Sequence, residues 1–262
     1  MKIREITDII ERFAPLSLQE DYDNSGLIVG RPDDEVRGVL LAVDVTEEVL
    51  DEAEAEGCDM IVTHHPIVFH PLKRFNSGSY VERCVERAIR GGIALYACHT
   101  NLDSTYQGMS WRLASMFGIE DLRVLEHSDA AVEIGYGVIG NLPSAVPTLD
   151  FLRRVSEVAG VECIRYSDIA TASVRRVAVC TGSGSSFIGS AIACGAELYI
   201  TADLKYNDFM TPSGMLTVAD IGHFESEYCA IRILFEVLSK KLITFAVRES
   251  KRSRNAVNYL TK

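Results

Sequence analysis

This sequence predicts an α/β fold made of two similar units, each with a mostly parallel sheet flanked by helices and with a metal site between them. Short Val/Ile-rich runs alternate with charged segments of helical period. The alternation recurs in the second half of the chain, and two of its strands recur in the same register.

Residues 3–13 carry Ile3, Ile6, Ile9, Ile10 and Phe13 at helical spacing, and Pro15 stops the helix. A loop spans Asp21 to Gly26. The runs Val39–Val43, Met60–Val62 and Ile93–Cys98 have strand length, and residues 47–56 and 81–90 between them have helical period. Such a βαβαβ order predicts parallel strands, because each crossover helix returns the chain to the same edge of the sheet.

Sliding the chain against itself by 138 positions lays Val39–Ala42 on Val177–Cys180 and Gly57–Thr63 on Gly195–Thr201 without a gap. A shift of 124 lays Ile93–Cys98 on Thr217–Gly222, and with it His99 on His223 and Asp103 on Glu227. Polar residues match as well as apolar ones, which sets an internal duplication apart from the general likeness of α/β units. The Gly-, Pro- and Ser-rich stretch Glu126–Pro147 reads as irregular and places the domain boundary near 126, giving units 1–125 and 126–262. Helices are expected at 150–158 and 226–239, and the last can pack on either domain.

The 262 residues hold 26 Lys+Arg against 37 Asp+Glu, a net charge of −11. That balance repels a polyanion, and no basic stripe offsets it, so nucleic acid is disfavoured as a partner. The opening segment reads as an amphipathic helix instead of a secretory signal, and no apolar run approaches the roughly 18–20 residues of a membrane span. Seven cysteines occur without a Cys-x-x-Cys pair. They read as reduced core thiols in a cytoplasmic protein.

Chemistry concentrates at three strand ends. Thr63-His64-His65-Pro66 follows the strand Met60–Val62, His99-x-x-x-Asp103 follows Ile93–Cys98, and His223-x-x-x-Glu227 follows Leu216–Ile221. Ligand sites of parallel sheets open at the carboxyl ends of strands. On a helix, positions i and i+4 share a face, so His223 and Glu227 converge on one point. Neutral imidazoles with carboxylates suit Zn, Mn, Fe, Co or Ni, and four histidines with two carboxylates suffice for two ions. His70 and His127 lack such a setting and read as exposed or structural. Thr181–Ser186 is Gly/Ser-rich but lacks a phosphate-loop lysine, so it reads as a tight strand-to-helix turn. Cys98 and His99 are strand neighbours that face opposite ways, a poor nucleophile and base pair.

These residues resemble the Nif-three-like dinuclear metal centre hexameric proteins, also catalogued as GTP cyclohydrolase one, type two homologs. The likeness runs over essentially the whole chain, through Asp23-Asn24-x-Gly26-Leu27, Thr63–Pro66, His99–Asp103, Thr201-x-Asp203-x-x-Tyr206 and Gly222–Glu227. It implies metal ligands at His64, His65, Asp103, His223 and Glu227, with Glu227 bridging two divalent ions and His99 as a nearby active-site histidine. It also implies helices exchanged between the domains and a ring-shaped homohexamer. Tyr22, Ala202 and Asn207 stand where the family pattern commonly has Trp, Gly and His.

The expected function is a metal-dependent hydrolase acting on a small anionic substrate, by nucleotide ring opening of the GTP cyclohydrolase kind or by phosphoester hydrolysis. Two divalent ions with two carboxylates leave a local charge of roughly +2, which attracts an anion to an otherwise acidic protein. His99, or Asp203, would move the proton. The alternative is a non-enzymatic metal-storing, metal-delivering or adaptor protein.

Overall fold

The computed structural model describes residues 1–128 and 133–260. The chain forms two compact units, each discontinuous in sequence. Met1–Thr105 joins Ala230–Arg254 in the first, and Tyr106–Cys229 joins the segment beginning at Asn255 in the second. These bounds differ from the division at 125/126 drawn from the sequence. Residues 106–125 go with the second unit because Leu113, Ala114, Phe117 and Ile119 belong to its core. Residues 230–254 go with the first because their strand pairs in parallel with a strand that begins at Gly38.

The first unit contains helix α1 (Ile3–Phe13), strands β1 (Gly26–Val29) and β2 (Gly38–Ala42), α2 (Glu47–Glu56), β3 (Met60–Thr63), α3 (Tyr80–Gly91), β4 (Ala94–Ala97) and α4 (Thr100–Ser104). Its sheet runs β1-β4-β3-β2 and ends on β11 (Ala246–Glu249), with β1 antiparallel and the rest parallel. Thr46 and Ser79 cap α2 and α3 by accepting from the backbone N–H groups of Val49 and Glu82, which fixes where each helix starts. One sheet face, Leu40, Ala42, Ile61 and Leu95, packs against Val49, Leu50 and Ala53 of α2 and Cys84, Val85 and Ala88 of α3. The alternate residues Val39, Leu41, Met60 and Val62 are buried as well, as expected for parallel strands covered on both sides.

The second unit contains α5 (Met109–Met116), β5 (Glu120–His127), β6 (Gly135–Pro147), α6 (Thr148–Ala159), β7 (Arg165–Tyr166), β8 (Ser173–Ser183), α7 (Ile188–Ala193), β9 (Leu198–Ala202), β10 (Thr217–Asp220) and α8 (His223–Glu227). The helix expected over 226–239 is divided at Tyr228 into α8 and α9 (Cys229–Ser239). The sheet order is β5-β6-β8-β9-β10-β7, with β8, β9 and β10 parallel and β5, β6 and β7 joined antiparallel. Val177, Val179, Leu198 and Ile200 face one core while Ala178, Cys180 and Tyr199 face another, the two-residue alternation of a sheet buried on both faces.

The pairs Val39↔Met60 and Val177↔Leu198 stand 138 residues apart on both strands, the shift read from the sequence. In the third strands Met60 pairs with Ala94 and Leu198 with Thr217, so the offset there is 123 (94 to 217) and the extra residue enters between β10 and α8. Residues 126–147 were expected to be irregular. Residues 129–132 lie outside the described residues, and most of the remainder belongs to the antiparallel pair β5 and β6. Glycine misleads here: a Cβ on Gly140 would run into the Glu120 carbonyl and crowd Ile119 and Leu122, so this glycine serves close strand packing instead of a turn. Five of the cysteines are buried, Cys194 is half-buried and Cys163 is exposed. Among the described residues no helix is long and apolar enough to cross a membrane.

The segment after β11 is tied down by Glu52 of α2, whose carboxylate accepts from the Ser250 hydroxyl, the Lys251 N–H (2.9 Å) and the Arg252 N–H (3.1 Å). Burial pushes this carboxyl up, but those hydrogen bonds outweigh it and hold it below the usual glutamate range. A depressed carboxylate stabilises the fold above its unfolded pKa and loses that contribution as pH falls through the folded value. Glu52→Gln should therefore cost roughly 1 kcal/mol in urea unfolding at pH 7 after allowance for partial exposure. The gap to wild type should close below about pH 4; a gap unchanged at acid pH would show that the charge is not what matters.

Candidate metal centre

In the first unit Thr63 pairs with Ala97, so β3 and β4 end level and release their following residues side by side. The Thr63 hydroxyl donates to the His65 carbonyl (2.8 Å) and the His65 N–H donates to the Val43 carbonyl (3.0 Å), closing a tight turn at the strand end. That turn puts both imidazoles beside His99. Ring centroids lie 4.9 Å apart for His64 and His65, 5.2 Å for His64 and His99, and 5.6 Å for His65 and His99. One ligand nitrogen from each of the three falls within 4.8 Å of the other two, a group able to hold a metal ion. Asp103, one turn along α4, brings Oδ2 to 3.8 Å from His64 Nε2. That separation exceeds a hydrogen bond and lies within the span of two coordination bonds of about 2.0–2.1 Å.

Each ring is oriented from behind. His64 Nδ1–H donates to the Cys98 carbonyl (2.9 Å), His65 Nδ1–H to Asp44 (2.7 Å) and His99 Nδ1–H to Asp23 (2.7 Å). A carbonyl or an ionised carboxylate only accepts, so the proton sits on Nδ1 and a neutral ring offers its lone pair at Nε2. His64 is fully buried. The Asp23 side chain is also fully buried and additionally accepts from the Thr100 N–H (3.1 Å), the Thr100 hydroxyl and the Ser25 hydroxyl (2.9 Å). Burial alone would push its carboxyl up, but the hydrogen bonds from His99 and Thr100 hold it well below the usual aspartate range. Asp23 stays ionised and keeps His99 in one orientation. Burial in turn pushes the Cys98 thiol far up, which removes it as a nucleophile.

The second unit carries its own group. α8 sets His223 Nε2 2.9 Å from Glu227 Oε2, the i, i+4 convergence expected from spacing, and His223 Nδ1–H donates to Asp203 (2.8 Å). Asp203 stands just after β9 with φ of +57°, a left-handed conformation that turns the chain at the strand end. Burial pulls the His223 imidazole down, but Glu227 and then Asp203 outweigh it and push it up to about 9. Two carboxylates thus create a strong cation preference around the ring, and a divalent ion at Nε2 competes with that proton. The Gly/Ser stretch expected to be a turn is strand through Ser183, and Gly182 has a separate reason to be glycine. It has φ of +62°, and a Cβ on it would collide with the Glu227 carboxylate, while its N–H donates to the Ser226 hydroxyl (2.9 Å). The glycine makes room for the Glu227 carboxylate, and the donor set of both units fits divalent metal.

All six residues singled out from the sequence sit in these two groups: His64, His65, His99 and Asp103 in the first unit, His223 and Glu227 in the second. His70 and His127 are exposed. His99 lies in one group with His64 and His65. Sequence reasoning passed over Asp44, although Asp44 follows the run Val39–Val43 as directly as His64 follows β3. Gly182→Ala should lower the melting temperature by the equivalent of roughly 1–3 kcal/mol, from the positive φ and the displaced carboxylate. It should also weaken metal uptake in an equilibrium dialysis assay; unchanged uptake would show that Glu227 need not lie against Gly182.

The family model described as Duf34/NIF3 (NGG1p interacting factor 3) matches residues 1–256. A "GTP cyclohydrolase 1 type 2 homolog" of Clostridium perfringens is 33% identical over 243 residues, covering 92% of this chain and 93% of its own. A hypothetical protein of Staphylococcus aureus, known from its crystal structure, superposes with a TM-score of 0.92 at 25% identity over 99% of both chains. A Bacillus cereus protein related to NIF3 superposes with a TM-score of 0.91 at 23% identity, also over 99% of both, and supports the fold. With a family model that covers nearly every residue and a relative 33% identical over 92% of the chain, this chain belongs to the DUF34/NIF3 family.

Proposed function

We propose that the chain is a dinuclear divalent-metal protein that hydrolyses a small anionic substrate of nucleotide-like kind. His64, His65, Asp103, His223 and Glu227 are its ligands, and His99 is the residue that moves a proton. The observation that carries the reading is the orientation of the histidines. Each of the four donates Nδ1–H to an oxygen acceptor, which leaves Nε2 to face inward: as the ligand atom in His64, His65 and His223, and as the proton-exchanging atom in His99. Packing histidines have no need of such uniform tethering. The curated relative's name supports the nucleotide side of the reading.

When bound, the metal pair supplies positive charge to hold and polarise an anionic group. The chain supplies the rest. Asp44, Asp203 and the Cys98 carbonyl keep three rings in position, so no reorientation is needed at the moment of reaction. His99 exchanges a proton at Nε2 while Asp23, ionised and buried, stabilises the charged imidazolium. Under this reading the chain works as the homohexamer that its family likeness suggests, with the small anionic substrate as its other partner.

Elemental analysis of reconstituted protein should give about two ions per chain; a ratio far below that after reconstitution counts against the centre. Metal-loaded protein should turn over a member of a nucleotide and phosphoester panel, and the His64→Ala/Glu227→Ala double variant should not. Turnover surviving in the variant sinks the hydrolase reading, and metal uptake without turnover in every metal form leaves storage or delivery. Asp44→Asn, which touches the metal only through His65, should weaken metal affinity roughly 10- to 100-fold in a competitive chelator titration.

A further inference from the structure

Beside the histidine cluster of the first unit lies a group of aromatic rings that metal binding does not use. Phe69 is at its centre, edge-on to His99 (centroids 5.9 Å apart, rings at 85°), to His70 (4.9 Å, 67°) and to Tyr22 (6.4 Å, 65°). Phe69 is 38% exposed and Tyr22 67% exposed, so neither ring serves as core. Isolated exposed aromatics are ordinary; these touch one another and stand against His99, as the aromatic side chains of ligand sites stand beside the polar groups that orient the ligand. None of the three contacts is a parallel stack.

The group is also braced. Asn24 Nδ2–H donates to the Val68 carbonyl (2.6 Å), tying the residue before Phe69 to the segment that carries Tyr22. Asp23, between Tyr22 and Asn24, holds His99. One short segment therefore fixes Tyr22, Phe69 and the proton-moving histidine together. Burial and the acidic neighbours Glu20 and Asp23 push the Tyr22 hydroxyl up, while Asp103, which acts on it too, is a ligand in the proposed centre and is offset there by the ion's charge. An aromatic carboxylate is repelled there, whereas a heteroaromatic ring bearing N–H donors is accepted.

We propose that Tyr22, Phe69 and His70 form an aromatic ledge that receives the nucleobase of a nucleotide-like substrate while the anionic part of that substrate faces the histidine cluster. The anionic half of this statement rests on the proposed metal centre; the ledge itself does not. Stacking of a base on an aromatic side chain changes affinity by roughly 5- to 100-fold.

Calorimetry on metal-loaded protein should find guanosine monophosphate bound roughly tenfold or more tightly than ribose 5-phosphate. Phe69→Leu, which keeps apolar bulk but removes the ring, should erase that preference and leave ribose 5-phosphate binding unchanged. Tyr22→Leu should reduce the preference. Equal affinities in wild type, binding of neither ligand, or a full preference surviving in Phe69→Leu would overturn the ledge. Elemental analysis of the same samples, with guanosine binding followed by NMR, separates the two readings. Full metal content without any preference for the base overturns the ledge and leaves the centre. Low metal content with guanosine binding that Phe69→Leu abolishes overturns the centre and leaves the ledge.

Discussion

The level ending of β3 and β4 is the constraint on which the first unit's chemistry depends. Parallel pairing puts Thr63 opposite Ala97, so two successive crossovers deliver their next residues to one edge of the sheet. Short turns then leave His64, His65 and His99 little choice of position. Side-chain rotamers alone could not bring three imidazoles within 6 Å; the sheet register does it, and burial of both sheet faces makes the register costly to shift.

A second layer fixes which nitrogen each ring presents. Asp44 leaves the end of β2, Asp23 leaves the loop before β1, and Asp203 leaves the end of β9; each fixes the tautomer of a histidine on a neighbouring segment. The two units repeat this scheme with different parts. In one, a carbonyl and two carboxylates hold three rings. In the other, an aspartate in left-handed conformation holds a single ring whose far nitrogen meets a glutamate one turn away. The glycine beneath that glutamate shows how far the backbone itself has been shaped around a carboxylate.

The strand-end histidines were legible because they depend on local pattern: an apolar run of strand length followed at once by His, or by His with a carboxylate four residues on. The helices over 3–13 and 47–56 were legible for the same reason, since amphipathic spacing and a terminating residue are local signals. Residues 126–147 were not. Gly140 serves close strand packing, a requirement set by Glu120 and Ile119, which lie more than fifteen residues away from it. Asp44 was missed although it stands at a strand end, because an aspartate there is common on its own and its partner, His65, lies 21 residues later in the chain.

By itself the sequence determined the alternation of strands and helices, the 138-residue correspondence between strand pairs, and the residue types that stand at three strand ends. Hydrophobic period and short-range order are written within a few turns of chain, so these can be read there. Only the tertiary structure decided which unit each segment joins, since β11 enters the first sheet by pairing with a strand some 200 residues earlier. It alone decided which nitrogen each histidine offers, because a tautomer is chosen by the acceptor behind the ring. For His99 that acceptor lies 76 residues away in the chain and 2.7 Å away in space.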